Sequence, residues 1–205
     1  MRTPLLLLCL LSSTLCGVAA EPAAGNDPEV IVPREVIRLF NGRDLSAFYT
    51  WLVDHHRDDP QRVFSVVDQV DGAPAIRISG QHLGGLYTKR RFANYRLVAE
   101  FRWGLATWGG RTNATKDSGI LLHASGRDGN YFSKTFNGPW MRSYEFQIIQ
   151  GGVGDLLVLG GYEPDGTIQK YFATATVVKD RDGEPCWAAQ GEAKVFETGR
   201  VNWWG

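Results

Sequence analysis

Two apolar runs in this chain carry polar groups where a core would take Val or Leu. In SYEFQIIQ, residues 143–150, a carboxylate and an amide alternate with Tyr144, Phe146 and Ile148. Written as a strand, the run puts Ser143, Glu145, Gln147 and Ile149 on one face. In GILLHA, residues 119–124, the same alternation puts His123 beside Gly119 and Leu121. If those two faces line one concave surface, an imidazole and a carboxylate stand on neighbouring strands within reach of one ligand. A carboxylate partly removed from water and close to a His is what general acid–base chemistry needs. The other arrangement has Glu145 and Gln147 facing solvent on an outer sheet and His123 hydrogen-bonded under a loop. Pattern alone leaves both open.

Weaker candidates surround these two runs. Asp117 and Ser118, just before the His strand, are placed to bind sugar hydroxyls or to cap a turn. Lys89, Arg90 and Arg91 form a charge run after Tyr87, solvated or holding a substrate oxygen. Asp155 follows the glycine cluster 151–154 and either contacts a ligand or shapes the turn. His55 and His56 lie among Asp54, Asp58 and Asp59 without a further ligand at recognisable spacing, so no metal site is expected. There is no phosphate-binding loop, dinucleotide fingerprint, HExxH, paired-Cys set or GxSxG elbow, and no cofactor is expected.

The elements that must hold these residues are short strands. The clearest pattern is YRLVAEFRW, residues 95–103, with Tyr95, Leu97, Ala99, Phe101 and Trp103 on one face and Arg96, Val98, Glu100 and Arg102 on the other. It predicts a half-buried antiparallel strand. Further strands are predicted at 63–67, 75–79, 85–88, 119–124, 144–150, 156–159, 171–178 and 194–197. Asp-Gly, Asn-Gly and Ser-Gly pairs punctuate them as turns. Such a series argues for an all-β sandwich or barrel. A single helical turn is expected near residues 45–51. The long polar segments 107–117 and 126–140 flank the His123 strand, as loops that serve a site do.

The chain has 205 residues, with 22 Lys and Arg against 22 Asp and Glu. That balance gives no field that would recruit nucleic acid or an anionic membrane. Seven Trp offer faces suited either to sugar rings or to a sandwich core. Residues 1–20 read as a signal peptide: Arg2, the apolar stretch 5–11, and Val18-Ala19-Ala20 before Glu21. No membrane span is expected after its removal. Cleavage would remove Cys9 and Cys16 and leave Cys186 as a lone thiol, which fits export to a bacterial envelope, secreted or periplasmic. Residues 21–33, rich in Pro, Ala and Gly, read as a linker, and 34–205 as one domain.

The pieces LFNGRDLSAFYTWL, GLYTKRRFANYRLVAEFRW, DSGILLHASG and WMRSYEFQIIQGGVGDLLVL occur in order from Leu39 onward. In them the chain resembles the 3-keto-disaccharide hydrolase domain family of secreted bacterial proteins. The resemblance implies a concanavalin-like jelly-roll sandwich of two antiparallel sheets, with a concave sugar-binding face. It also implies cleavage of glycosides already oxidised to a ketone at C3. On that chemistry Glu145 is expected as base and His123 as acid or oxyanion partner. Gln147, Lys89, Asp117 and Arg142 are expected to orient the sugar, and Trp103 or Trp140 to form a stacking wall. The family domain continues past a segment like VNWWG, so C-terminal strands are expected to be lacking, with open edges that favour association. A non-catalytic carbohydrate-binding module on the same sandwich is the alternative from another class.

Overall fold

A computed structural model of the chain describes residues 29–197 and 199–201. The stretch read as a signal peptide, with Cys9 and Cys16, and most of the expected linker lie outside the described residues.

The chain is all-β, an assembly of sheets that are antiparallel but for the short β1–β6 pair, consistent with a concanavalin-like jelly-roll sandwich. Among the described residues the one helical segment is a single 3-10 turn, Gly109–Arg111. The strands in chain order are β1 (Val30–Ile31), β2 (Phe48–Leu52), β3 (Phe64–Val70), β4 (Ala73–Ile78), β5 (Gly84–Thr88) and β6 (Arg91–Phe92). They continue with β7 (Gly119–Ser125), β8 (Arg142–Ile149), β9 (Gly152–Leu159), β10 (Gly161–Tyr162) and β11 (Ile168–Gln169). The last are β12 (Phe172–Lys179), β13 (Pro185–Trp187), β14 (Glu192–Glu197) and β15 (Gly199–Val201).

The largest sheet has four strands in the order β15-β9-β8-β7, with β7 at one edge. Its centre is a tight hairpin in which Gln150 and Gly151 turn the chain from β8 into β9, Gly151 supplying a φ of 91°. Beside this sheet, β2 pairs with β5, β3 with β4, and β12 lies between β13 and β14.

Alternation on β2 explains how these units meet. Trp51 packs with Tyr87 and Met141, and against Tyr49, Leu121 and Ala124, joining β2 and β5 to the four-stranded sheet. Its neighbour Leu52 points the other way, to Val63 and Phe64, joining the same pair to β3. The connection from β7 to β8 is pinned from within. The fully buried Asn130 accepts from the Arg142 amide at 2.8 Å, and Trp51 Nε1 donates to the Gly138 carbonyl at 2.9 Å.

Three expectations are corrected. Residues 45–51 do not form a helical turn: Phe48–Leu52 is a strand, zipped to β5 from Phe48–Thr88 to Leu52–Gly84. Val30 and Ile31, inside the stretch read as linker, pair in parallel with Arg91 and Phe92. Residues 95–103, the strongest strand pattern, form no strand, and Leu97, Val98 and Phe101 are exposed. A strand exists only where a neighbour takes up its backbone groups, and among the described residues none runs beside this segment.

Candidate functional site

β7 and β8 pair in the register Gly119–Gln147 and Leu121–Glu145. Residues opposed in this way project to the same side of a sheet. Leu121 belongs to the cluster around Trp51 and Met141, so Ser143, Glu145 and Gln147 share the face turned toward β2 and β5. Of the two arrangements open from sequence, the solvent-facing one is therefore excluded.

Glu145 has room on this face because its neighbour has no side chain. A Cβ placed on Gly119 would lie 1.9 Å from Glu145 Oε1 and 2.6 Å from its Cδ and Cγ. The carboxylate thus lies over the Gly119 backbone, where any other residue would push it aside. Around it the face is unusually polar: Ser143 is 0% exposed, Gln147 5% and Asp155 3%. The β8–β9 register breaks between Phe146 and Ile148, so that Gly154 and Asp155 of β9 together lie across from Gln147. Asp155 is therefore a buried strand residue, not a turn-shaping group.

Tyr131 completes the cluster. Its phenol is held above the ordinary tyrosine range, first by burial and then by the charge of Glu145. Like any tyrosine, it is protonated at neutral pH and can donate a hydrogen bond. Its ring packs against Trp140 at 5.5 Å, and Trp140 Nε1 donates to the Gly84 carbonyl at 3.2 Å. Trp140 is thus fixed between Tyr131 and β5. Tyr131 was not among the sequence candidates. It sits in a polar loop eleven residues past Ile120 with no periodicity to mark it, and only the fold brings it to β8.

His123 is not part of this cluster. The register slips between Leu122–Tyr144 and Ser125–Arg142, so His123 is the extra residue of a bulge, with a φ of 53°. Ala124 takes the inward position, against Trp51 and Tyr87. The exposed imidazole turns to the opposite face, with its ring 6.3 Å from that of Tyr144 and 5.7 Å from that of Tyr95. Since Tyr144 and Glu145 are neighbours on one strand, His123 and Glu145 project to opposite sides of the sheet. The expected pair is overturned by one inserted residue.

The remaining candidates divide in the same way. Arg142 lies on the His123 side, where it pairs with Glu163 at 2.7 Å, donates to Gln169 and Ser125, and covers the Tyr171 ring. Its guanidinium is consumed in holding β8 to the 163–171 segment and does not orient a ligand at Glu145. Lys89 is exposed and bonds the Ser46 carbonyl at 2.9 Å. Asp117, two residues ahead of Gly119, pairs with Arg111 at 2.6 Å and so anchors the 107–117 loop. Trp103 packs edge-on against Phe101 in the unpaired segment, away from the cluster.

A cavity lined by Asp54, His55, His56, Asp58 and Asp59 lies beyond β2. Its groups serve the loop itself. His82 bridges Asp54 and Gln61, at 2.9 and 2.7 Å, and Asp59 accepts from the Val63 and Phe64 amides. Among the described residues no three His, Cys, Asp or Glu are placed to hold a metal ion. No helix there is long and apolar enough to cross a membrane.

A family model described as "3-keto-alpha-glucoside-1,2-lyase-like domain" matches residues 35–190. Comparison with the curated proteins and with the solved structures found no match.

Proposed function

Because the chain belongs to the 3-keto-alpha-glucoside-1,2-lyase-like domain family, its function is carbohydrate-related, and we propose that it cleaves 3-keto-glycosides at the Glu145 face. The observation that carries this reading is the placement of one carboxylate: Glu145 lies over Gly119, with Tyr131 near enough to feel its charge and Trp140 packed on Tyr131.

The chemistry needs one base and one donor, not the two-carboxylate geometry of ordinary glycosidases. A ketone at C3 acidifies the C2 hydrogen. Glu145 takes that proton, and the electron pair is delocalised onto the C3 oxygen as an enolate. Collapse of the enolate breaks the C1–O bond, and the departing oxygen takes a proton. Tyr131 is the donor, to the enolate oxygen by a hydrogen bond or to the leaving group outright. Water then adds at C1 of the enone, C2 is reprotonated, and the free 3-keto sugar is formed. The elimination step spans C1 and C2, in keeping with the family's description as lyase-like. Gln147 is next to Glu145 on the same face and is assigned to sugar hydroxyls.

Residues 1–20 are proposed to direct export, so that the substrate is met in the periplasm or outside the cell, and residues 34–205 to form one domain.

The test is incubation of the protein with a 3-keto aryl glucoside. Release of the aglycone with formation of the free 3-keto sugar is the expected result. Saturable binding of unoxidised oligosaccharide with no turnover of the keto substrate would replace the enzyme by a carbohydrate-binding module.

A further inference from the structure

The segment that should have been a strand carries its own complement. No residue from Tyr95 to Leu105 takes part in a backbone–backbone hydrogen bond among the described residues. Val98 is 72% exposed and Leu105 99%, with Leu97 and Phe101 also open. A stretch of chain whose amides lack backbone partners and whose β-branched and aromatic side chains are exposed can become a template for strand pairing. It adjoins β7, the outer strand of the four-stranded sheet, through the contact of Tyr95 with His123.

We propose that residues 95–101 pair antiparallel with the same residues of a second copy, about a two-fold axis at Val98. In that register Arg96 of each copy faces Glu100 of the other, giving two opposite-charge pairs. Tyr95 faces Phe101, Leu97 faces Ala99, and Val98 faces itself. Every position is matched in kind: apolar to apolar throughout one face, and on the other two opposite-charge pairs flanking Val98 against itself. A two-fold interface requires this kind of self-complementarity.

Neighbouring registers lack it. Centring on Ala99 sets Arg96 against Arg102. Centring on Phe101 pairs Arg102 with Glu100 but puts Gly104 opposite Val98 inside the ladder, where glycine weakens pairing. Arg102 is moreover already held by both oxygens of Asp71 in its own chain, at 2.8 and 2.9 Å. Asn94, with a φ of 50°, sets the N-terminal limit of such a pairing just before Tyr95. A seven-residue pairing buries less than the ~1,200 Å² of a standard stable interface, so a weak, concentration-dependent dimer is expected.

Sedimentation velocity of the full chain over a concentration series tests this, with Arg96→Glu, Glu100→Arg, the double exchange and Val98→Pro. Each single exchange sets two like charges face to face and is expected to weaken the dimer about tenfold. The double exchange is expected to restore it to within about threefold of the parent, since it re-forms both pairs. Val98→Pro is expected to abolish it while leaving the melting temperature of the monomer unchanged, because among the described residues this stretch makes no backbone bond to lose. A chain that stays monomeric at every concentration overturns the proposal. So does open-ended association, or a dimer indifferent to these exchanges.

Discussion

The carboxylate of Glu145 occupies the space that a side chain on Gly119 would fill, so the position of the proposed base is set by the absence of atoms on the neighbouring strand. Gly119 has an ordinary φ, and the atoms a methyl would meet belong to a flexible side chain. Gly119→Ala is therefore expected to fold with a stability change within about 1 kcal/mol while displacing the carboxylate. Misplacement of a reacting group by about 1 Å costs on the order of a hundredfold in rate. Steady-state kinetics on a 3-keto-glycoside should show most of that loss in kcat, with the melting curve nearly unmoved.

Asp128 ties the β7–β8 connection to β2. It accepts from the Tyr49 hydroxyl at 3.0 Å through one oxygen and from Arg57 through the other. Asp128→Ala strands the half-buried Tyr49 hydroxyl and is expected to cost about 1–3 kcal/mol, read from urea unfolding.

Asn130 is the corresponding lock within the same connection. Besides accepting from the Arg142 amide, it leans on Gly126 and Gly161, where a Cβ would come 2.3 and 2.9 Å from its side-chain atoms. Asn130→Ala leaves that amide unpaired and opens a void. A loss of about 2–4 kcal/mol is expected in the same unfolding measurement.

How far these features could be read beforehand varies with their range. Alternation in 119–124 and 144–150 gave β7 and β8, because one buried face imposes period two directly on sequence. The bulge at His123 left no such mark. It arises where β7 slips by one residue against β8, and a slip is a property of two strands together. Tyr131 was hidden for a similar reason, since its approach to Glu145 depends on how the 126–140 connection folds back. The segment 95–103 shows the converse: its pattern is the strongest in the chain, but a strand also needs a partner, and pattern does not supply one.

Three tyrosines should resist titration. Burial raises Tyr49, Tyr87 and Tyr131 above the ordinary value of 10.0, Tyr49 with help from Asp128 and Tyr131 from Glu145. A group whose folded pKa is raised adds stability that is complete below its unfolded value and lost as pH climbs through the folded one. Stability should hold up to about pH 10 and fall above it. Phenolate absorbance should show Tyr49, Tyr87 and Tyr131 ionising only above pH 10, together with unfolding.

The central claim is that Glu145 removes the C2 proton of a 3-keto-glycoside. The most direct measurement is leaving-group release from a 3-keto aryl glucoside by Glu145→Gln, alongside the parent protein. The amide keeps the shape of the side chain and cannot accept that proton. Loss of at least about a hundredfold in kcat, with sugar binding retained, is the predicted result. Release within a few-fold of the parent would contradict the account.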